Sequence, residues 1–357
     1  MRKGLSKPKE ICIIVTYRCN ARCNMCNVWQ NPSRAGEEIT VDDIRKLPSG
    51  LRFVNITGGE PFVRRDLEDI IGVVREKTKR IVISTNGYFT ERIVSLCKRY
   101  PDVGIRISTE GLQKTNDTIR GISDGFDRTL RTLFTLRRMG LKDIGFAMTV
   151  QDINCKDLLP LYELSNALGY EFATATLHNS HYFHKLDNKI QDKEAVCNEF
   201  SKLVTELLKA REVKKWFRAY FNYGLMNYIY GGKRFLPCEM GTESCFIDPW
   251  GDVLTCNGMN EKVSMGNIKE RSFEDIWNGR EAEKVRGIVR NCEKQCWMVG
   301  SAAPAMKKYI YKPIMWILKN KMRLLFHKEP LLCLQAHHEK DFSSQQCKVQ
   351  TVKANEK

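Results

Sequence analysis

A chain of 357 residues with 42% hydrophobic content can build one large α/β domain and a smaller one, and 58 Lys and Arg against 42 Asp and Glu leave it with a formal charge of +16. No stretch approaches the roughly 20 continuous apolar residues that a bilayer span needs, and Arg18 interrupts the first apolar run too early for a signal segment, so the expected compartment is cytoplasmic. Thiols there stay reduced, so clustered cysteines among the 14 read as metal ligands rather than as disulfides, while Cys333 and Cys347 in the tail are given no role. The charge suits an anionic partner, but nothing in the pattern predicts a specific nucleic acid.

In chain order, the runs "ICIIVT", "FVNITG", "RIVISTNG", "VGIRIST", "IGFAMTV" and "EFATATL" read as strands. Between them, "VDDIRKL", "DLEDIIGVVREKT", "ERIVSLCKRY", "FDRTLRTLFTLRRMG" and "KDLLPLYELSNALG" read as amphipathic helices. Six βα units in series predict a parallel sheet with right-handed crossovers, curved into a partial (β/α)6 barrel over 1–185. The loops at the strand C-termini then form one functional rim carrying Cys19, Gly58 to Glu60, Ser84 to Gly87, Ser108 to Gly111 and Thr149. His178, His181 and His184 follow the sixth strand, where a proton-transfer role and plain surface residence are both open. No peptide-docking segment is expected ahead of the first strand.

A helical connector is expected over 186–235 and a small α+β module over 236–300. In the module, "CFIDPWGDVLTC" predicts a hairpin turning at Gly251, and "SFEDIWNG" a helix capped by Ser272 and closed by Gly279. A basic amphipathic helix is expected over 301–330 and a polar, disordered tail over 331–357. Between Met306 and Lys328, Ile310, Pro313, Ile314, Ile317, Leu318, Met322 and Leu325 gather towards one side, with Lys319, Lys321, Arg323 and Lys328 along the rest. That face either makes peripheral contact with an acidic membrane surface or docks back onto the protein.

Chemistry enters with "VTYRCNARCNMCNVW", which places Cys19, Cys23 and Cys26 within eight residues. A closed zinc site wants four ligands and a disulfide two, so three thiols suggest a site left open or one completed from elsewhere. The spacing Cys-x3-Cys-x2-Cys after a first strand, with "NITGGEP", "STNGYF" and "STEGLQKTNDTIRG" after the next three, resembles the radical S-adenosylmethionine (radical SAM) superfamily. The resemblance implies a [4Fe-4S] cluster on Cys19, Cys23 and Cys26 whose open iron chelates S-adenosylmethionine, fed by a one-electron reductant such as flavodoxin or ferredoxin. It assigns the cofactor's amino group to Gly58, Gly59 and Glu60, and its adenine to Met25, where the family often has an aromatic residue. Ser84, Asn86, Ser108 and Glu110 fall near the ribose and methionyl parts, Glu110 standing where the family more often has Asp; Thr85 and Asn86 are equally turn-forming caps. Arg120 is open to pairing with a carboxylate, although a loop Arg in a chain this basic is usually solvated.

"CEMGTESCFIDPWGDVLTC" and "NCEKQCW" resemble the SPASM/twitch modules of such enzymes. This implies that Cys238, Cys256, Cys292 and Cys296 hold one auxiliary [4Fe-4S] cluster, a zinc ribbon being the alternative for four thiolates. Cys245 is expected in the core, as are Cys12, Cys97, Cys155 and Cys197. The function implied is hydrogen abstraction from a small-molecule, sugar or lipid-linked substrate. The alternatives are a maturase of a peptide or partner protein, and a non-enzymatic iron–sulfur or zinc scaffold.

Overall fold

The computed structural model describes residues 6–256 and 258–334. All six expected strands form: β1 (Glu10–Ile14), β2 (Phe53–Thr57), β3 (Ile81–Thr85), β4 (Gly104–Ser108), β5 (Ile144–Val150) and β6 (Glu171–Thr176). They pair in parallel in sequence order, each to the next. The crossovers carry helices α1 (Val41–Arg45), α2 (Leu67–Lys77), α3 (Thr90–Arg99), α4 (Gln113–Arg120), α5 (Gly125–Arg138) and α6 (Leu158–Ala167). Ile, Val and Leu from both layers close a core in which Ile13, Ile56, Ile83, Ile105 and Ile144 are fully buried. The crossover after β4 differs from expectation at α4: its only buried residues are Asn116 and Ile119, too few for an apolar period, so the stretch reads as loop from sequence.

The sheet does not close on itself. A helical pair, α7 (Lys193–Lys209) and α8 (Val213–Ile229), follows β6, and then β7 (Ser244–Ile247) pairs in parallel with β1. Strands β8 (Asp252–Leu254) and β9 (Ser264–Asn267) continue antiparallel, giving the order β6-β5-β4-β3-β2-β1-β7-β8-β9. The cysteine-bearing module therefore extends the barrel's own sheet. Gly251 takes φ +95° in the β7–β8 turn, where its missing Cβ would lie 2.8 Å from Asn267 Oδ1. Ser272 caps α9 (Phe273–Asn278) by accepting from Asp275 N, and Gly279 follows it at an ordinary φ of −72° before α10 (Arg280–Arg290).

The expected basic helix is two helices, α11 (Val299–Lys308) and α12 (Tyr311–Leu325), broken at Tyr309 and Ile310. Pro313, Ile317 and Asn320 of α12 are buried, and Trp316 stacks on Tyr223 of α8 at 5.0 Å and 12°. Ile310, Ile314, Leu318, Met322 and Leu325, expected on the same side as Pro313 and Ile317, face solvent instead. The helix is apolar on two faces. The expected disordered tail falls outside the described residues beyond Leu334.

Candidate active site

The cysteine loop leaves β1 and is clamped at its root. Buried Glu38 accepts from Thr16 Oγ1 at 2.5 Å, Ser33 Oγ at 2.6 Å and Arg18 Nη2 at 2.8 Å. Arg64, also buried, donates to the carbonyls of Val15 and Ile39. Further along, Arg22 N and Asn24 N donate to the carbonyls of Arg120 and Ile119, the last turn of α4. These helix-end carbonyls would otherwise lack partners. Gly121 ends α4 at φ +61°, and a Cβ there would meet Arg22 O at 2.9 Å.

Cys19, Cys23 and Cys26 gather in one cluster with Ala21, Met25, Tyr88 and Ile122, and all three thiols are free. Burial pushes the Cys19 thiol up to about 12 and that of Cys26 up to about 11. Coordination by a metal deprotonates such thiols outright, so a desolvated trio of this kind fits a metal cluster better than a free nucleophile. Ala21 N already points at Cys19 Sγ, at 3.4 Å. Met25 lies beside them, with Gln151 Nε2 at 3.9 Å from its sulfur.

The two glycines of "NITGGEP" serve the cysteine loop directly. Gly59 N donates to Thr16 O at 2.7 Å and Glu60 N to Arg18 O at 2.9 Å. A Cβ on Gly58 would lie 2.4 Å from Thr16 O, and one on Gly59 2.4 Å from Arg18 O and 2.9 Å from Cys19 Cβ. Close approach is thus to protein backbone first. Glu60 is fully buried and accepts from Phe62 N, Thr85 Oγ1 and Asn86 N, the last at 2.6 Å. Burial raises its pKa against those three hydrogen bonds. A carboxylate has about four acceptor positions, so these three bonds leave Glu60 one.

Asn86 joins the third loop to the first through Asn20 Oδ1 at 2.8 Å, and its own Oδ1 accepts from Tyr88 N, which is the cap role. Ser84 Oγ is held by Asn55 Nδ2, and Ser84 and Ser108 both face a large cavity. Glu110 accepts from Arg120 Nη1 at 3.1 Å and from Thr149 N at 2.7 Å. Arg120 is therefore largely covered and paired with a carboxylate, the first of the two readings open to it: α4, unseen in the sequence, carries it under the cysteine loop. Burial opposes its charge, but the neighbouring Cys23, Glu110, Cys19 and Glu60 outweigh that and raise its pKa. Its Nε is buried without a partner, a donor left over beside the thiols.

Cys238, Cys256, Cys292 and Cys296 come together at the far edge of the sheet. The Cys256 thiol feels the charges of Cys296, Cys238 and Cys292, and Cys238 and Cys296 each feel Cys292. Gly258 N donates to Cys256 Sγ at 3.1 Å, and the Arg234 guanidinium lies beside Cys238 and Cys296. Cys245 lies apart, 1% exposed on β7 and paired in register with Ile11. Four thiols that feel one another's charge fit one further cluster, and the packing of Cys245 is that of a core residue. Among the described residues no three His, Cys, Asp or Glu converge as for a single metal ion.

A cavity of about 1040 Å³ reaches Cys256 and Cys296 of the second set, and Cys19, Cys23 and Cys26 are not among its lining residues. Ser84, Ser108, Thr149 and His178 line one part, Cys256 and Cys296 another, and Arg52, Arg80, Arg106 and Lys307 the floor at the strand N-termini. His178 holds Thr176 O at 2.9 Å through Nδ1, and burial lowers its pKa; His181 and His184 do not line the cavity. The loop of His178 to Asn188 straps the parts together: Tyr182 donates to Gly58 O, Asn188 to Met25 O, and His181 N to Met259 O.

Comparison with known proteins agrees with this arrangement. The family model of the radical SAM superfamily matches residues 13–164, and that of an iron-sulfur cluster-binding domain, SPASM, matches 238–298. A relative in Methanosarcina barkeri, named Fe-coproporphyrin III synthase, is 31% identical over 79% of this chain and 77% of its own length. This chain belongs to the radical SAM superfamily. It is an enzyme of that family, using a [4Fe-4S] cluster and S-adenosylmethionine, with an auxiliary iron–sulfur domain at the C-terminal side. The Bacillus subtilis protein AlbA, named for biosynthesis of the antilisterial bacteriocin subtilosin, is 26% identical over 76% of this radical SAM chain and 60% of its own. Streptococcus suis SuiB shares the fold, with a TM-score of 0.61 at 19% identity over 85% of this chain and 75% of its own.

Proposed function

We propose that the enzyme removes a hydrogen atom from a carbon of a peptide or partner-protein segment held in the cavity that joins the rim serines to the second cysteine set. The carrying observation is that one cavity of about 1040 Å³ touches both the rim serines and the cysteines of the second set. That volume stands at the top of the range of about 300–1,000 Å³ for small-molecule sites, and suits a side chain with its flanking backbone. When bound, the groups supply a 5′-deoxyadenosyl radical, and an acceptor for one further electron. In this reading Cys19, Cys23 and Cys26 hold the first cluster, and Cys238, Cys256, Cys292 and Cys296 the second. Glu60, Ser108 and Met25 orient the cofactor, Arg120 offers its spare N–H to a carboxylate, and neutral His178 stands ready to take a proton. A flavodoxin- or ferredoxin-like protein delivers the electron.

The relatives favour peptide work over the sugar or lipid-linked substrate expected from sequence: AlbA is named for a bacteriocin, and neither curated relative for a sugar. One observation favours a second reading. On the cavity floor Arg52 and Lys307 share Glu10, and Arg80 and Arg106 share Asp143, a surplus of cations suited to a carboxylate-bearing porphyrin like that in the name of the Methanosarcina relative. Release of 5′-deoxyadenosine by the reduced enzyme should rise at least about tenfold with the right substrate class, because binding completes the site. A rise with peptides encoded beside the gene supports the proposal; a rise with coproporphyrin alone replaces it with the second reading.

A further inference from the structure

We propose that the outward face of α12 is a docking surface for an acidic membrane, the helix lying in the plane of the lipid headgroups. Three observations carry this. Ile314, Met315, Leu318, Met322, Leu325 and Phe326 are exposed by 39, 67, 58, 52, 71 and 68%, together more than half-bare apolar surface on one helix. Monomeric proteins rarely leave such a contiguous apolar patch without a use. The opposite face, through Pro313, Trp316, Ile317 and Asn320, is already fixed to the protein, with Lys321 Nζ holding Leu208 O at 2.9 Å. The outward residues are therefore not a core face waiting to fold inward.

Charge selects the occupant. At helical spacing Lys312, Lys319 and Arg323 border one edge of the apolar stripe and Lys321 the other. No Asp or Glu occurs between Glu293 and Glu329. None of Lys312, Lys319, Lys321, Arg323 or Lys328 makes an ion pair with a carboxylate among the described residues, although Lys307 and Lys308 just before them do. An apolar stripe edged by Lys312, Lys319 and Arg323, none of them paired with a carboxylate among the described residues, matches a surface that is apolar below and anionic above, where burial and attraction to headgroups add. No helix of the described residues is long and apolar enough to cross a bilayer, so the contact is peripheral. The inference stands independently of the substrate class. Because α11 lines the substrate cavity through Val299, Ala303 and Lys307, docking of α12 would also fix the cavity's position relative to the membrane.

The test is sedimentation of the intact protein with vesicles of phosphatidylcholine mixed with phosphatidylserine, compared with phosphatidylcholine alone. Binding should be confined to the acidic vesicles and fall as salt is raised. A variant carrying Met315→Glu, Leu318→Glu and Leu325→Glu should lose it by more than about tenfold, and one carrying Lys312→Gln and Lys319→Gln by about 25-fold, at about fivefold for each cation. All five positions are exposed, so both variants should keep their iron content and cofactor cleavage. Failure of the intact chain to bind acidic vesicles, or equal binding by the triple Glu variant, overturns the proposal. So does a dimer in solution that the triple variant dissolves while vesicles are ignored, or vesicle binding that appears only in a chain ending at Leu334.

Discussion

Changing Cys19, Cys23 and Cys26 together to Ala should abolish cleavage of S-adenosylmethionine and lower the iron of anaerobically prepared protein from about eight to about four per chain, one cubane remaining. The three thiols sit in one desolvated cluster, and the four of the second set form a separate group in which Cys256 feels the charges of the other three. The losses should therefore be separable: iron spectroscopy on the variant should retain an auxiliary cluster signal. Changing Cys238, Cys256, Cys292 and Cys296 instead should remove the complementary half. Zinc in place of the second group of irons would assign the module to a ribbon.

Gly59→Ala should cripple the enzyme nearly as thoroughly while leaving every ligand in place. The added methyl carbon would lie 2.4 Å from Arg18 O and 2.9 Å from Cys19 Cβ, and neither backbone can retreat. Thr16, which precedes them, is pinned by Glu38, and the loop's far side by the last carbonyls of α4. Overpacking of this kind costs about 1–3 kcal/mol, or else displaces the cysteine loop by a comparable strain. A displacement of the order of 1 Å at a reacting centre costs about 100-fold in rate, which is the fall expected in 5′-deoxyadenosine formation. Iron analysis should show both clusters retained. An active Gly59→Ala enzyme would mean that the loop is softer than its hydrogen bonds indicate.

The strands were legible because each is a short β-branched run bounded by polar or glycine residues, a local signal with period and length. The cysteine spacings were legible for the same reason. What escaped depends on partners distant in the chain. Nothing local in "SCFI" tells that β7 will lie along β1, and β9 has Met265 as its one buried residue. For Arg120 the sequence leaves pairing with a carboxylate and plain solvation both open, and the choice is made by α4, itself almost without apolar period, which carries it beside Cys23 and Glu110. Glu38 lay in a charged stretch with no motif, yet Thr16, Arg18 and Ser33 all converge on it. Gly58 and Gly59 were singled out for approach to a ligand, whereas the nearest atoms belong to the neighbouring loop. A conformational demand is visible in sequence, but not the identity of the atom that makes it.

The central claim is that the three-cysteine loop, the Gly-Gly-Glu turn and the buried Glu110–Arg120 pair form one cofactor-cleaving site. The most direct test is to incubate the reconstituted wild-type protein anaerobically with S-adenosylmethionine and dithionite, and to quantify 5′-deoxyadenosine and methionine. The account predicts both products in equal amounts, dependent on the reductant and absent without reconstituted iron; a protein that binds its full iron yet leaves the cofactor intact would contradict it.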